Sequence, residues 1–276
     1  MEEQATAGSP GDATRLIAQV ERERGIDLSQ YRLTYLERRL GTRLRALGLV
    51  SYRQYGAHLS EHPDEYARLL DTLTVNVTDF FRDPPVWKII RGEVIPAILK
   101  VKAGTGQRSV RVWSAGCATG EEPYSLAMAF LSAMPTDAPP YALSVTASDL
   151  DPLAIATAQT AQYDVAKLEH IPGADRVRFT ENMGKRFKIK PEVTEHVRFR
   201  KLNLFSDPPP LAVDLILCRN VFIYFTREQQ ERITNVFHRA LARGGYLVLG
   251  RTEKMAVGAT PGFEPVSSKE RIYRKV

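Results

Sequence analysis

Apolar positions recur at three- and four-residue spacing from Asp12 to Thr74, whereas beyond Arg108 they bunch into short runs divided by glycine and polar turns. The first pattern predicts helices that bury one stripe, the second strands and helices in alternation. In the first stretch Asp12 caps a helix through Glu23 and Ser29 a longer one through Leu47, ended by Gly25 and Gly48. Ser51 caps a third that stops near Pro63, and Asp64 to Thr74 make a fourth. Leu33, Leu36, Leu40, Leu44 and Leu47 form the stripe of the second helix. Another helix starts near Pro84. Strands are predicted around Val110–Trp113, over Tyr141–Ser148 and Val213–Cys218, from the turn at Arg243 to Gly250, and over Arg271–Lys275. Helices follow near Pro152 and, capped by Thr226, up to Ala242. Val213–Cys218 is apolar throughout, as expected of a parallel strand covered on both faces. Polar Arg219 and Asn220 follow at once, at the strand end where open α/β sheets place ligands.

The stretch after the first strand carries the candidate chemistry. Ser114-Ala-Gly-Cys-Ala-Thr-Gly120 is a run of small residues, and Glu121, Glu122 and Pro123 suit a first helical turn. A dinucleotide site would present G-x-G-x-x-G with bare amides for a pyrophosphate. Here two carboxylates follow the glycines, which disfavours a diphosphate and favours a cationic cofactor such as S-adenosylmethionine. Asp149, ending the second strand, is placed to accept both ribose hydroxyls, or else only to cap the helix near Pro152.

Composition narrows the class further. With 276 residues, 43% of them hydrophobic, the chain can bury a large core in one or two domains. Met1–Gly11 is polar and reads as a disordered tail. No signal-like or membrane-length apolar run occurs, which points to a cytoplasmic protein without membrane insertion. Cys117 and Cys218, in apolar strand-end contexts, read as reduced packing residues. Arg32, Arg38, Arg39, Arg43 and Arg45 face only Glu37 along the second helix, and the net charge is +6. One-sign arginine at that density suits an acidic partner, protein or nucleic acid. An RNA-binding reading needs stacking aromatics, for which Tyr31, Tyr35 and Tyr52 are the candidates. His58 and His62 stand four apart with no evident third ligand, so no metal is expected. Taken alone, Arg82 beside Phe80 and Phe81 is either a linker arginine or a buried functional cation. Tyr224, among Phe222, Ile223 and Phe225, is either a core tyrosine or a catalytic one.

Three stretches together, T-V-N-V-T-D-F-F-R-D-P from Thr74, V-W-S-A-G-C-A-T-G-E-E-P-Y-S from Val112 and L-C-R-N-V-F-I-Y-F from Leu217, resemble the signature stretches of CheR-type chemotaxis receptor methyltransferases. The likeness extends from about Leu28 to the final strand. It implies methyl transfer from S-adenosylmethionine to glutamates of chemoreceptors, with no metal. The implied fold is an all-helical receptor-recognition domain (12–83) and a Rossmann-like catalytic α/β domain (84–276) with a mostly parallel sheet. A small antiparallel β-subdomain, here 176–200, would hold Arg186–Lys190 and His196–Arg200 as strands.

The resemblance also implies a cofactor pocket formed by Asn76, Thr78, Arg82, Ala115, Gly116, Glu121, Asp149, Asn203, Leu204, Arg219 and Asn220. In it Glu121 would take the methionyl ammonium and Asn203–Leu204 would flank the adenine. Arg82 and Tyr224 would lie nearest the transferred methyl. The partner it implies is the acidic, helical methylation region of a chemoreceptor, met by Arg32, Arg38, Arg39, Arg43 and Arg45; no nucleic acid is expected, and the protein is expected to be a monomer. Thr180–Lys185 holds one glycine in a short loop, which resembles members that bind no receptor pentapeptide. Gly250-Arg-Thr-Glu-Lys departs from the Gly-His-Ser-Glu-Asn type of sequence associated with the family.

Overall fold

A computed structural model describes residues 10–24, 28–73, 78–135, 140–255 and 262–276. The chain divides into two compact units, Met1–Val75 with Tyr224–Gln229, and Asn76–Ile223 with Gln230–Val276. The division therefore falls before Asn76, not after residue 83, and a short segment near Tyr224 joins the helical unit. Most of the expected polar tail, Met1 to Ser9, lies outside the described residues, while Pro10 and Gly11 already belong to the first helix.

The helical unit contains α1 (Pro10–Arg24), α2 (Leu33–Ala46), α3 (Tyr52–Glu61) and α4 (Glu65–Leu73). Ser51 caps α3 as expected, its hydroxyl accepting from the Gln54 amide at 3.3 Å. Ser29 does not cap α2. The backbone just before α2 is committed elsewhere: Tyr31 forms an antiparallel bridge with Phe225, and the Arg32 amide donates to the Tyr224 carbonyl. Helix α2 consequently starts at Leu33, which is 43% exposed, and the buried stripe is Leu36, Leu40 and Leu44. These pack with Leu16, Val20, Tyr55, Leu59 and Leu69 in one apolar core.

In the second unit α5 (Pro84–Ile89) runs through a π turn, Ile90–Val94, into α6 (Ile95–Gly104). Then come β1 (Ser109–Ala115), α7 (Glu121–Ala133), β2 (Ala142–Asp149), α8 (Pro152–Gln159) and β3 (Gln162–Asp164). After α9 (Gly173–Phe179), β4 (Thr180–Asn182), β5 (Arg186–Ile189) and α10 (Pro191–Thr194), the chain enters β6 (Val197–Lys201) and β7 (Val213–Cys218). It ends with α11 (Arg227–Ala240), β8 (Leu241–Leu249), β9 (Phe263–Ser267) and β10 (Ile272–Lys275).

Seven strands form one sheet in the order β6-β2-β1-β7-β8-β10-β9. Pairs from β6 through β8 are parallel, and β10 is antiparallel to both neighbours. Chain order reverses at β1, with β2 on one side and β7 on the other, so the loops at their carboxyl ends mark the topological switch point. Strand β7 is buried at every position, as its unbroken apolar run requires.

The small antiparallel sheet is β3-β5-β4. This corrects the expected subdomain: Arg186–Ile189 is in it, but Val197–Lys201 pairs in parallel with Val145–Asp149 at the edge of the main sheet. Val197 buries against that sheet while Arg198 stays exposed, so the alternation is genuine but belongs to a different sheet. Gln162–Asp164 supplies the missing strand.

Candidate functional site

At the end of β1 the backbone must turn sharply under β2. Gly116 has φ +80°, and a Cβ there would lie 2.5 Å from Val221 Cγ2. Gly120 has φ +96°, and a Cβ would meet Ala158 Cβ at 2.7 Å and Tyr163 Oη at 2.9 Å. Both glycines are thus required by conformation and by space. Between them Ala118, itself at φ +45°, donates its amide to Asp149 Oδ2 at 2.8 Å. The other oxygen of Asp149 accepts from the Asp151 amide at 3.0 Å. Burial raises the Asp149 pKa, and those amides oppose the shift. Asp151 is the residue that caps α8, accepting from Leu153 and Ala154. The capping alternative for Asp149 is therefore corrected. Cys117 and Cys218 are free and buried, and burial pushes both thiols well up.

Two acids open α7, each with its own partners. Glu121 is 1% exposed; its Oε2 accepts from Thr119 Oγ1 at 2.7 Å, and its Oε1 pairs with Lys167 Nζ. Lys167 also donates to the Thr78 carbonyl at 3.1 Å. Glu122 accepts from Ser114 Oγ at 2.8 Å and lies 3.5 Å from Arg219. Burial raises the Glu122 pKa against the pull of Arg219 and, more weakly, Arg82.

Arg219, its side chain 2% exposed, donates to the Arg82 carbonyl at 2.9 Å and pairs with Asp83. It thereby holds the backbone on which Arg82 is displayed. Phe81 and Asp83, on either side of Arg82, sit at φ +47° and +62°, strained values for non-glycine residues. The Phe81 amide donates to Ser125 Oγ at 3.0 Å and the ring packs 4.9 Å from Trp87, contacts that fix this turn.

Asn220, at φ +62°, donates its amide to Glu253, which also accepts from the Gly250 and Ile223 amides. Burial raises the Glu253 pKa and these amides oppose it. The unusual Gly250-Arg-Thr-Glu turn thus clamps the loop after β7 through its retained acid. The Leu202 amide donates to the Asp149 carbonyl, which brings Asn203 and Leu204 to the end of β2. Asn203 Oδ1 accepts from the Phe205 amide, and Leu204 lines a cavity of about 250 Å³ with Phe205 and Arg232. Thr78, Arg82, Ala115, Gly116, Glu121, Asp149, Asn203, Leu204, Arg219 and Asn220 thus lie along one connected set of loops. Asn76 lies outside the described residues. Glu122, Lys167 and Glu253 join the same bonded network without having been candidates in the sequence; only the paired acids at Glu121 and Glu122 offered a signal, since the others are brought in by long-range folding.

Within the helical unit Tyr224 packs its ring 4.7 Å from Tyr35. Arg38 and Arg45 are exposed, as is Arg32, whose Nε donates to the Phe225 carbonyl. Arg39 is half-buried, its guanidinium 5.5 Å from the Tyr35 ring centre. Arg43 departs from the expected outward role. It forks onto the buried Glu65 at 2.7 and 2.8 Å, and Tyr55 adds a third bond at 3.0 Å. Burial opposes ionisation of Glu65, but the bonds from Arg43 and Tyr55 outweigh it and lower its pKa.

Comparison with known proteins agrees with this layout. Residues 12–74 match the family model described as CheR methyltransferase, all-alpha domain, and residues 76–272 that of CheR methyltransferase, SAM binding domain. A chemotaxis protein methyltransferase of Listeria monocytogenes is 30% identical over 90% of this chain and 92% of its own length. A probable chemotaxis protein methyltransferase of Rhizobium etli is 34% identical over 88% of this chain and 92% of its own. An uncharacterized 104.1 kDa protein of Rhodobacter capsulatus is 36% identical over 87% of this chain, which spans only 24% of that longer protein.

Proposed function

Because this chain belongs to the CheR methyltransferase family, and is an S-adenosylmethionine-dependent methyltransferase, we propose that its acceptors are glutamate side chains of chemoreceptors, converted to methyl esters for sensory adaptation. The observation that supports this most is the sorting of charge. Carboxylates line the glycine loop, suited to a cationic donor, while exposed arginines stud the helical unit, suited to an acidic acceptor.

The residues present fit the cofactor. Gly116 and Gly120 let the loop turn tightly against Val221, Ala158 and Tyr163, and Asp149 holds a fixed, partly exposed carboxylate on that loop. In this reading Asp149 binds the ribose, Glu121 the methionyl ammonium and Asn203–Leu204 the adenine; Asn76, Thr78, Arg82, Ala115, Arg219 and Asn220 complete the pocket. S-adenosylmethionine, when bound, supplies a methyl already activated on a sulfonium. The chain therefore needs little acid–base machinery, because a glutamate with a pKa of about 4.3 is roughly 500-fold more ionised than protonated at neutral pH. Placement and exclusion of water can supply roughly 7–11 kcal/mol of the barrier. Arg82 holds the acceptor carboxylate, a contact worth about 4 kcal/mol at 4 Å and an effective dielectric near 20. A single contact serves better than a fork, which would quench the nucleophile.

Tyr224 orients the acceptor or the methyl, the role that family membership suggests. Arg82→Ala and Tyr224→Phe are expected to lower turnover more than cofactor affinity; unchanged turnover in both would remove them from the mechanism. Arg32, Arg38, Arg39 and Arg45 are the docking cations. The loop between β4 and β5 is only Met183, Gly184 and Lys185, which favours independence from a receptor pentapeptide; micromolar binding of such a peptide in calorimetry would contradict it. The protein acts in the cytoplasm as a monomer and without a metal. Incubation with methyl-labelled cofactor and receptor-containing membranes tests the whole: base-labile label in receptor bands is expected, and label elsewhere or nowhere would refute it.

A further inference from the structure

Glu121 is a buried carboxylate whose more exposed partner is Lys167. One oxygen is held by Thr119, the other by the Lys167 ammonium, whose second bond goes to the Thr78 carbonyl at 3.1 Å. The lysine side chain is 34% exposed and Glu121 only 1%, so solvent reaches this ion pair from the lysine's side. Its segment is fixed: Asp164 caps the turn Val165–His170 at the Ala166 amide, the Val165 amide donates to the Lys185 carbonyl, and His170 reaches Asp79 at 3.2 Å. The neighbouring Arg219 is committed to Asp83 and Glu122.

We propose that Lys167 is a further cofactor-binding residue, forming with Glu121 a clamp for the zwitterionic methionyl end of S-adenosylmethionine. The inference rests on the cofactor assignment above and extends it. An ammonium arriving at Glu121 alone would place two like charges, its own and that of Lys167, against one carboxylate. The methionyl group also carries a carboxylate next to its ammonium. With that carboxylate on Lys167 and the ammonium on Glu121, the four charges alternate and every adjacent contact is attractive. The ion pair already present is thus the template for its ligand, held in place by Thr78 and Thr119 rather than assembled on binding.

Calorimetry on the full chain tests this with three ligands: S-adenosylhomocysteine, its decarboxylated analogue and methylthioadenosine, which lacks the whole amino-acid end. The unaltered chain should prefer S-adenosylhomocysteine over the decarboxylated form by at least about tenfold, the range for a hydrogen bond between charged groups. Lys167→Gln should erase most of that preference by weakening S-adenosylhomocysteine alone, with methylthioadenosine unaffected. Lys167→Arg, which keeps the charge, should restore part of it and so separate loss of charge from loss of fold. A preference that survives Lys167→Gln would overturn the clamp, because the carboxylate would then be held elsewhere. Tighter binding by Lys167→Gln would also overturn it, making the lysine a competitor for Glu121. If the unaltered chain binds none of the three, the cofactor assignment itself falls, and the clamp with it.

Discussion

Glu65 in the helical unit and Glu122 in the glycine-loop unit are both buried acids facing an arginine, yet they are driven in opposite directions. Glu65 takes a two-pronged grip from Arg43 plus a tyrosine hydroxyl, and its pKa falls. Glu122 meets Arg219 at 3.5 Å only, because that arginine is shared with Asp83 and the Arg82 carbonyl, and its pKa rises. The two units thus use their charges differently. In the helical unit a fully satisfied ion pair fixes the packing of α2, α3 and α4. Around the glycine loop the cations are divided among several acids and backbone groups, which keeps carboxylates poised at the site at some expense of stability.

Substitution of one acid in each unit, Glu65 and Asp149, should separate the two units most visibly. Glu65→Ala leaves Arg43 half-buried without its partner and should cost about 3–5 kcal/mol in a thermal or denaturant melt, with S-adenosylhomocysteine affinity unchanged. Asp149→Asn should weaken cofactor binding by roughly 10–100-fold, as loss of a charged hydrogen-bond acceptor implies, with a smaller cost of about 1–3 kcal/mol in the melt because one of the two loop amides loses its acceptor.

The same contrast appears against pH. The lowered Glu65 pKa contributes stability that is present above the ordinary carboxylate value and lost as pH falls through the lowered one, so the helical unit should loosen only in stronger acid. The raised Asp149 pKa acts the other way: cofactor affinity should begin to fall on acidification while pH is still above the ordinary aspartate value of 3.8. A binding profile flat to that value would separate Asp149 from the ribose. Glu122→Gln sharpens the comparison further. Burial opposes the ionised form of Glu122, so the neutral amide should cost clearly less than the Glu65 change. The smallest effect is expected from Arg38→Glu with Arg45→Glu, which should lower receptor methylation mainly at low salt and leave the melt untouched.

Periodicity made the four helices, the buried strand Val213–Cys218 and the glycine loop legible in the sequence, because each depends on neighbours a few residues away; of the expected caps of α1, α2 and α3, only Ser51 takes its place. Gln162–Asp164 was illegible for the opposite reason: three residues carry no usable alternation, and the strand exists only because β5 pairs with it. Val197–Lys201 showed its strand pattern but not its sheet, since alternation does not name a partner. That Glu121 and Asp149 meet at the glycine loop was readable from order along the chain. Lys167 reaches Glu121 through tertiary structure, and Glu253 sits in a turn whose unfamiliar flanks hid its role. Arg43 misled because an arginine-rich face looks uniformly solvated until the facing acid on α4 is placed.

A division of labour separates the acids of the two units, and a calorimetric titration of S-adenosylhomocysteine into the unaltered chain, Glu65→Gln and Asp149→Asn tests it directly. Saturation of one site in the first two, with much weaker binding in the third, is the predicted result. Equal binding by all three, or none by the unaltered chain, would contradict it.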